Sequence, residues 1–225
     1  MKIKYATISE TGPRSKNEDF FKVIDKTDDN RWLGVICDGM GGHAMGEIAS
    51  KTVSEAVCNY WLRFTDVDTV VKARKACRSA AAKLDECAFA RNHVQMGTTL
   101  VMASIDKNQI TITHCGDSRC YFMRNGEIVH QTKDHVGNSL GWEIVTRCFF
   151  SYKPENAVPD IAQFEIKPGD RILLCSDGLY KSMSQEVLTA NMRDDKSPEE
   201  LLNAYSLLCE ENGDDNYTGI LVFIE

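Results

Sequence analysis

Acidic residues stand at five widely separated places where apolar runs of this 225-residue chain begin or end. Asn17-Glu18-Asp19 precedes Phe20-Phe21, Asp38-Gly39 follows Trp32 to Cys37, and Asp117 follows Ile110 to Gly116. Asp177-Gly178 follows Arg171 to Ser176, and Asp214-Asp215-Asn216 leads into Ile220 to Ile224. Strands held in a sheet can bring their ends to one place, and a Gly beside the carboxylate lets the backbone turn sharply there. Carboxylates gathered in this way repel one another unless cations lie between them, and hard oxygen ligands suit Mg2+ or Mn2+. The chemistry open to such a centre is metal-assisted phosphoryl hydrolysis.

The elements that must position these residues show as changes of period. Lys2 to Ser9 alternates like a half-buried strand, Phe20 to Asp25 reads as its neighbour, and Trp32 to Cys37 is a third strand. After Gly39-Met40-Gly41-Gly42, a helix is predicted over Glu47 to Phe64, with Ile48, Val53, Val57, Tyr60, Trp61 and Phe64 on one stripe. A second, Ala-rich helix is predicted over Thr69 to Arg91. Strands return over Thr99 to Ile105, Gln109 to His114 and Arg119 to Arg124, and Asn125-Gly126 is a strong hairpin turn into Glu127 to Gln131.

Ile161 to Ile166 and Arg171 to Cys175 read as a further hairpin across Lys167-Pro168-Gly169-Asp170. A short helix is expected over Ser182 to Met192 with a Ser182/Gln185 cap, and another after Ser197-Pro198, with Glu200 closing a capping box and Gly213 as the stop. No linker or repeat divides the chain, so one domain over 1–225 is expected. The hairpin-rich order favours an α+β fold with helices layered outside antiparallel sheets.

Composition narrows the function classes. Apolar residues at 43% and charged residues at 26% are ordinary for a soluble globular protein. The net charge of -7, without a Lys/Arg cluster, argues against nucleic acid as partner. Nine Cys, most of them inside apolar runs and none in a Cys-x-x-Cys pair, point to buried thiols in a reducing compartment. His114, Cys115 and Cys120 lie close enough in sequence to raise zinc, although the spacing lacks the paired knuckle of structural zinc sites. With no signal core and no run of membrane-spanning length, a cytoplasmic protein away from membranes is expected.

Six motifs, in order, then carry a resemblance over nearly the whole chain. They are Arg14-Ser15-Lys16-Asn17-Glu18-Asp19, Val35 to His43, Met96-Gly97-Thr98-Thr99, Cys115-Gly116-Asp117-Ser118-Arg119, Leu174 to Leu179 and Gly213-Asp214-Asp215-Asn216. This set resembles the metal-dependent Ser/Thr protein phosphatases, the PPM or protein phosphatase 2C family, in its bacterial style. The resemblance implies a β-sandwich of two antiparallel sheets flanked by α-helices, four layers in all, with two Mn2+ or Mg2+ ions at one end and a possible third. Asp38 would bridge the two metals, the Gly39 carbonyl would complete one coordination sphere, and Asp177 and Asp215 the other. Asp19 or Glu18 would act through water, and Asp117 would share a third, weaker metal with Asp177. Arg14 would clamp the substrate phosphate. A water between two divalent cations gives up its proton near neutral pH and can attack phosphorus without a covalent phosphoenzyme.

Plainer roles stand beside these. Asp117 could cap a turn or pair with Arg119, Glu18 and Asp214 could be solvated neighbours of the ligands, and Arg14 could be a surface residue. Met40 stands where animal-type members carry a His after Asp-Gly, so proton delivery falls to metal-bound water or to His43, itself more simply a structural residue of its Gly-rich loop. Relatives carry a longer flap between Asp134-His135 and Pro159. Here Val136 to Trp142 leads almost directly to Thr146-Arg147, which predicts an abbreviated flap and a more open site. The implied activity is dephosphorylation of phosphoserine and phosphothreonine on proteins by a monomer, with a Ser/Thr kinase or its targets as substrates. Two alternatives remain: a catalytically weak module that binds phosphoproteins, and a two-metal phosphoesterase for small molecules.

Overall fold

Alternating side chains within strands buried on both faces set the layering. A computed structural model describes residues 2–40, 45–65, 67–139 and 141–225. In chain order the first elements are β1 (Ile3–Glu10), β2 (Asp19–Lys26), β3 (Arg31–Asp38), α1 (Gly46–Arg63), α2 (Thr69–Phe89), β4 (Gly97–Thr98) and β5 (Leu100–Asp106). There follow β6 (Gln109–Cys115), β7 (Arg119–Arg124), β8 (Glu127–Gln131), β9 (Val136–Ser139), β10 (Trp142–Val145) and β11 (Phe149–Phe150). The last are β12 (Asp160–Glu165), β13 (Arg171–Cys175), α3 (Asp177–Lys181), α4 (Gln185–Arg193), α5 (Pro198–Asn212) and β14 (Tyr217–Ile224).

Two five-stranded antiparallel sheets run β1-β14-β13-β7-β8 and β12-β6-β5-β3-β2. Along β3, Trp32 and Ile36 face the opposite sheet, where they meet Phe122, Leu174 and Ile220. Leu33, Val35 and Cys37 point the other way, onto Val53, Val57 and Trp61 of α1 and the Ala-rich face of α2. Across the sandwich, Tyr121, Leu173 and Leu221 pack outward on Leu188, Leu201, Leu202 and Tyr205 of α4 and α5. Three cores therefore separate four layers, helix–sheet–sheet–helix. Side chains such as Leu33 and Ile36, with no exposed surface, contribute about 1.5–3 kcal/mol each.

Several expectations are corrected. β1 does not neighbour β2: it pairs with β14 along its whole length, while β2 pairs with β3 in the other sheet. β12 and β13 do not form a hairpin, because β12 pairs with β6 and β13 with β7 and β14. The turn between them is real, with the Lys167 amide donating to Asp170 at 2.7 Å, but Arg124 also grips Asp170 and the chain crosses from one sheet to the other there. Ser184 caps α4, accepting from the Val187 amide, whereas Ser182 donates to the Gly178 carbonyl. The box at Ser197 and Glu200 forms as expected, and so does the Asn125-Gly126 turn, with φ of 52° and 76°.

Antiparallel pairing decides where function can sit. The starts of β2, β5, β7 and β14 lie at the same end of the sandwich as the ends of β3, β6 and β13, as the pairs Asp19↔Asp38, Leu100↔Cys115, Arg119↔Cys175 and Cys175↔Gly219 record. Those are the strand ends that carry the acidic residues.

Candidate metal centre

A cavity of about 700 Å3 opens at that end of the sandwich. Its wall includes Arg14, Glu18, Asp38, Gly39, Asp117, Asp177, Asp215 and Asn216, with Ile144 and Val145 of β10 along one side. A second cleft, of about 490 Å3 between α1 and α2, has a single carboxylate, Glu55, in its lining. The concentration of acids therefore singles out the first.

Neighbouring residues hold the acids in place. Asp38 ends β3, where its amide donates to Thr99 Oγ1 at 3.0 Å and its carbonyl accepts from Thr98 Oγ1 at 2.8 Å and the Thr99 amide at 2.9 Å. Gly39 must be glycine, since a Cβ there would lie 2.4 Å from the Gly46 carbonyl oxygen and 2.6 Å from that of Glu18. Asp177 opens α3 beside the start of β14, an approach that Gly178 permits: its Cβ would fall 2.0 Å from the Asn216 oxygen. Asp19, only 7% exposed, accepts from Ser176 Oγ at 2.7 Å, and Ser176 in turn accepts from the Thr218 amide at 2.9 Å. Asn216 ties down the Arg14–Glu18 loop by donating to the Thr11 and Lys16 carbonyls and accepting from the Glu18 amide.

The carboxylates crowd one another. Part of Asp38 faces the cavity, yet burial, then the Asp19, Asp177 and Asp117 charges, push its carboxyl well above the usual range. Burial, with Asp177 and Asp215 adding to it, lifts Asp19 to about 7 against the donors Ser176 and Thr218. Asp117 is lifted to about 6 by burial and Asp177, and Asp215 rises for the same two reasons, opposed by the Asn216 amide and Arg14. Acids displaced together in one cleft mark a functional site, and a set of oxygens in need of positive charge suits divalent cations.

Two side-chain cations reach into the group. Arg14 donates from Nε to the Asp214 carbonyl and from Nη2 to Asp215 Oδ2, both at 2.9 Å, so its remaining N–H groups are held at the rim. Lys181 Nζ lies 2.8 Å from Asp177 Oδ2. Arg119 is not a partner of Asp117: it forms a bidentate pair with Asp134 at 2.9 and 2.7 Å, which leaves the Asp117 carboxylate to the cavity. Asp214 is exposed and offers its carbonyl to Arg14, while Glu18 lines the cavity and packs against Gly46. Gly41, Gly42 and His43 lie outside the described residues.

Zinc at His114, Cys115 and Cys120 finds no support. Burial pushes both thiols up, and Cys115 donates to the Asn156 carbonyl. His114 does approach His135 and Asp160 closely enough for all three to reach one ion. Hydrogen bonding argues against that use. The Gly116 amide donates to His135 Nδ1 at 3.2 Å, so the neutral ring carries its proton on Nε2, 3.1 Å from Asp160 Oδ2, where a metal would need the lone pair. Arg147 completes the chain with two bonds to Asp160 at 3.0 and 2.9 Å.

Residues 12–210 match the family described as protein phosphatase 2C. The chain belongs to that family. It is 29% identical over 241 aligned residues to the serine/threonine protein phosphatase PstP of Mycobacterium tuberculosis, an alignment covering 97% of this chain and 44% of PstP. It thus spans less than half the length of that relative. The serine/threonine phosphatase stp of Listeria welshimeri is 27% identical over 93% of this chain and 90% of its own length. Among solved structures, the crystal structure of PstP superposes with a TM-score of 0.84 at 28% identity, over 99% of both chains. The PstP catalytic domain in complex with two manganese ions gives 0.82, again at 28% identity and 99% coverage of each.

Against this protein phosphatase 2C frame, the sequence motifs gave roles to the acids but not to their supports. Thr99, Ser176 and Asn216 lie inside the motifs with no role assigned, because hydrogen-bond partners distant in sequence leave no period to expose them, and Lys181 lies outside the motifs. Also missed was the β9–β10 hairpin, whose strands are short and mostly exposed, with Trp142 at 77%. It stands in the segment expected to be an abbreviated flap.

Proposed function

We propose that this chain hydrolyses phosphoserine and phosphothreonine on proteins, using two divalent cations. One observation carries the reading: Asp38, Asp117, Asp177 and Asp215 converge on one cavity with Arg14 at its rim, and Asp19 is buried against them. The phosphatase names of PstP and stp, and the two manganese ions of the PstP complex, support it. In this reading Asp38, the Gly39 carbonyl, Asp177 and Asp215 would hold two Mn2+ or Mg2+ ions, with Asp38 shared between them, and Asp19 or Glu18 would act through water. Bound cations of this kind acidify water to a nucleophile and offset phosphoryl charge.

The chain's own contribution is placement. Ser176 fixes the Asp19 carboxylate, the two threonines fix Asp38, and Asp215 aims the Arg14 fork at a phosphate seated over the acids. No cysteine is needed as a nucleophile. All nine are free thiols, eight of them buried, which suits the reducing cytoplasm as the place of action. No helix among the described residues is long and apolar enough to cross a membrane. A single-domain monomer acting on a Ser/Thr kinase or its targets completes the proposal.

The decisive assay is phosphate release from a phosphothreonine peptide and from a co-expressed autophosphorylated kinase, with Mn2+ and with chelator. Metal-dependent release from both is expected, well above release from free phosphoserine. Absence of metal-dependent release at high enzyme concentration would overturn the phosphatase reading, and equal turnover of free phosphoserine would redirect it to small phosphoesters. Arg14→Ala is expected to lower kcat/KM for the peptide by about 10- to 100-fold, the value of a charge-assisted hydrogen bond of about 1.5–3 kcal/mol. Arg14→Lys should recover only part of that loss, because an ammonium cannot present the fork. Ser176→Ala is expected to weaken Mn2+ binding by about 10- to 100-fold, the usual effect of removing an outer hydrogen-bond partner of a metal ligand. Calorimetric titration checks it, and an unchanged affinity would show that Asp19 needs no such anchor.

A further inference from the structure

On the Asp117 side of the cavity the acids have a cation of their own. Asp177 and Lys181 are the first and last residues of α3, four positions apart, and so project from the same helix face. The Lys181 ammonium lies 2.8 Å from Asp177 Oδ2 and is half exposed; burial works against its charge. The adjacent Tyr180 is fixed from both sides. Its hydroxyl donates to the Asp117 carbonyl at 3.2 Å, and its ring lies under the Arg119 guanidinium at 3.6 Å. That double hold sets the turn of α3 against the Asp117 loop. Lys181 therefore sits in the field of Asp177 and Asp117, with Glu143 of β10 contributing from the hairpin, and these interactions outweigh burial in holding its charge. Asp117 feels the same ammonium in return.

We propose that Lys181 is a built-in counter-cation for the Asp177–Asp117 pair, and that it suppresses uptake of a further divalent ion there while leaving the pair bridged by Asp38 untouched. The proposal rests on the two-cation reading above. A divalent ion shared by Asp117 and Asp177 would have to displace an ammonium already paired to one of its ligands. An ammonium four residues along the same helix is present at every metal concentration, so this side of the cleft would keep its charge balance when divalent cations are scarce.

The test is Mn2+ stoichiometry and affinity by calorimetry and equilibrium dialysis, on wild type, Lys181→Met and Lys181→Arg, at fixed ionic strength. Wild type and Lys181→Arg are expected to bind two Mn2+ per chain. Lys181→Met is expected to gain a third, weaker site, tighter by about tenfold or more than any third binding in wild type, a normal size for coupling between charged sites. Lys181→Gln, also uncharged, repeats the measurement if the Met variant folds poorly. Identical stoichiometry and affinities in all variants would overturn the inference while leaving the two-cation reading intact. Absence of Mn2+ binding by every variant, wild type included, would instead overturn the two-cation reading and the inference with it.

Discussion

Asp38→Asn is expected to reduce Mn2+-dependent turnover of a phosphothreonine peptide by at least about 10²–10³-fold, the loss that follows removal of one preorganised electrostatic contributor. The fold should survive. Asp38 is held through its backbone, to Thr98 and Thr99, and Asn keeps its shape and those bonds. Stability of the metal-free protein should move in the opposite direction from activity. An ionised Asp38 is penalised by burial and by Asp19, Asp177 and Asp117, and the amide feels none of that repulsion. In chelator at neutral pH the variant should therefore melt above wild type, by roughly 2–4 °C for each kcal/mol of repulsion relieved. Turnover within about tenfold of wild type would remove Asp38 from the centre of the chemistry. A lower melting temperature in chelator would show that the acids are not in conflict.

Much of this arrangement was legible in the sequence, and the rest was hidden for identifiable reasons. Acids at the ends of apolar runs could be found because the runs are long and each is closed by Gly or Asn. The helix over Gly46–Arg63 was legible to within a residue at each end, since its apolar stripe repeats over several turns. Strand partners were not legible. Alternation fixes which face of β1 or β12 is buried, but nothing in Lys2 to Ser9 specifies β14, more than 200 residues away, over β2. The turn at Lys167–Asp170 has good local chemistry, yet Arg124, far off in sequence, decides where it leads. Ser182 and Ser184 offer nearly equivalent caps, and the choice falls to Ser184 because Ser182 is buried against Gly178. Ser176 and Lys181 became interpretable only when Asp19 and Asp177 stood beside them in space.

The response of this centre to pH should change sign with metal. Asp19 is lifted to about 7 and Asp117 to about 6, while carboxylates of an unfolded chain titrate near 4. Between those limits the native protein holds more protons than the unfolded one, so the contribution of these acids is full below about pH 4 and is lost as pH rises through 6 to 7. Buried His114 and His135 and partly buried His130, all lowered by desolvation, act oppositely, because the unfolded chain protonates them more readily. Comparing two proteins, or two metal conditions, at each pH removes the histidines from the result. In chelator, the advantage of Asp38→Asn over wild type should be larger near pH 7 and shrink toward pH 4, vanishing only below it, where the unfolded carboxyl is protonated as well. In wild type the rise in melting temperature on adding Mn2+ should grow across the same interval, since cations bind the deprotonated acids and release their protons. Thermal unfolding from pH 4.5 to 7.5, with chelator and with Mn2+, measures both differences. If the Mn2+ increment is flat with pH, the raised acids are not the groups that take up the metal. If the Asn advantage is flat, repulsion at Asp38 is not what limits the metal-free fold.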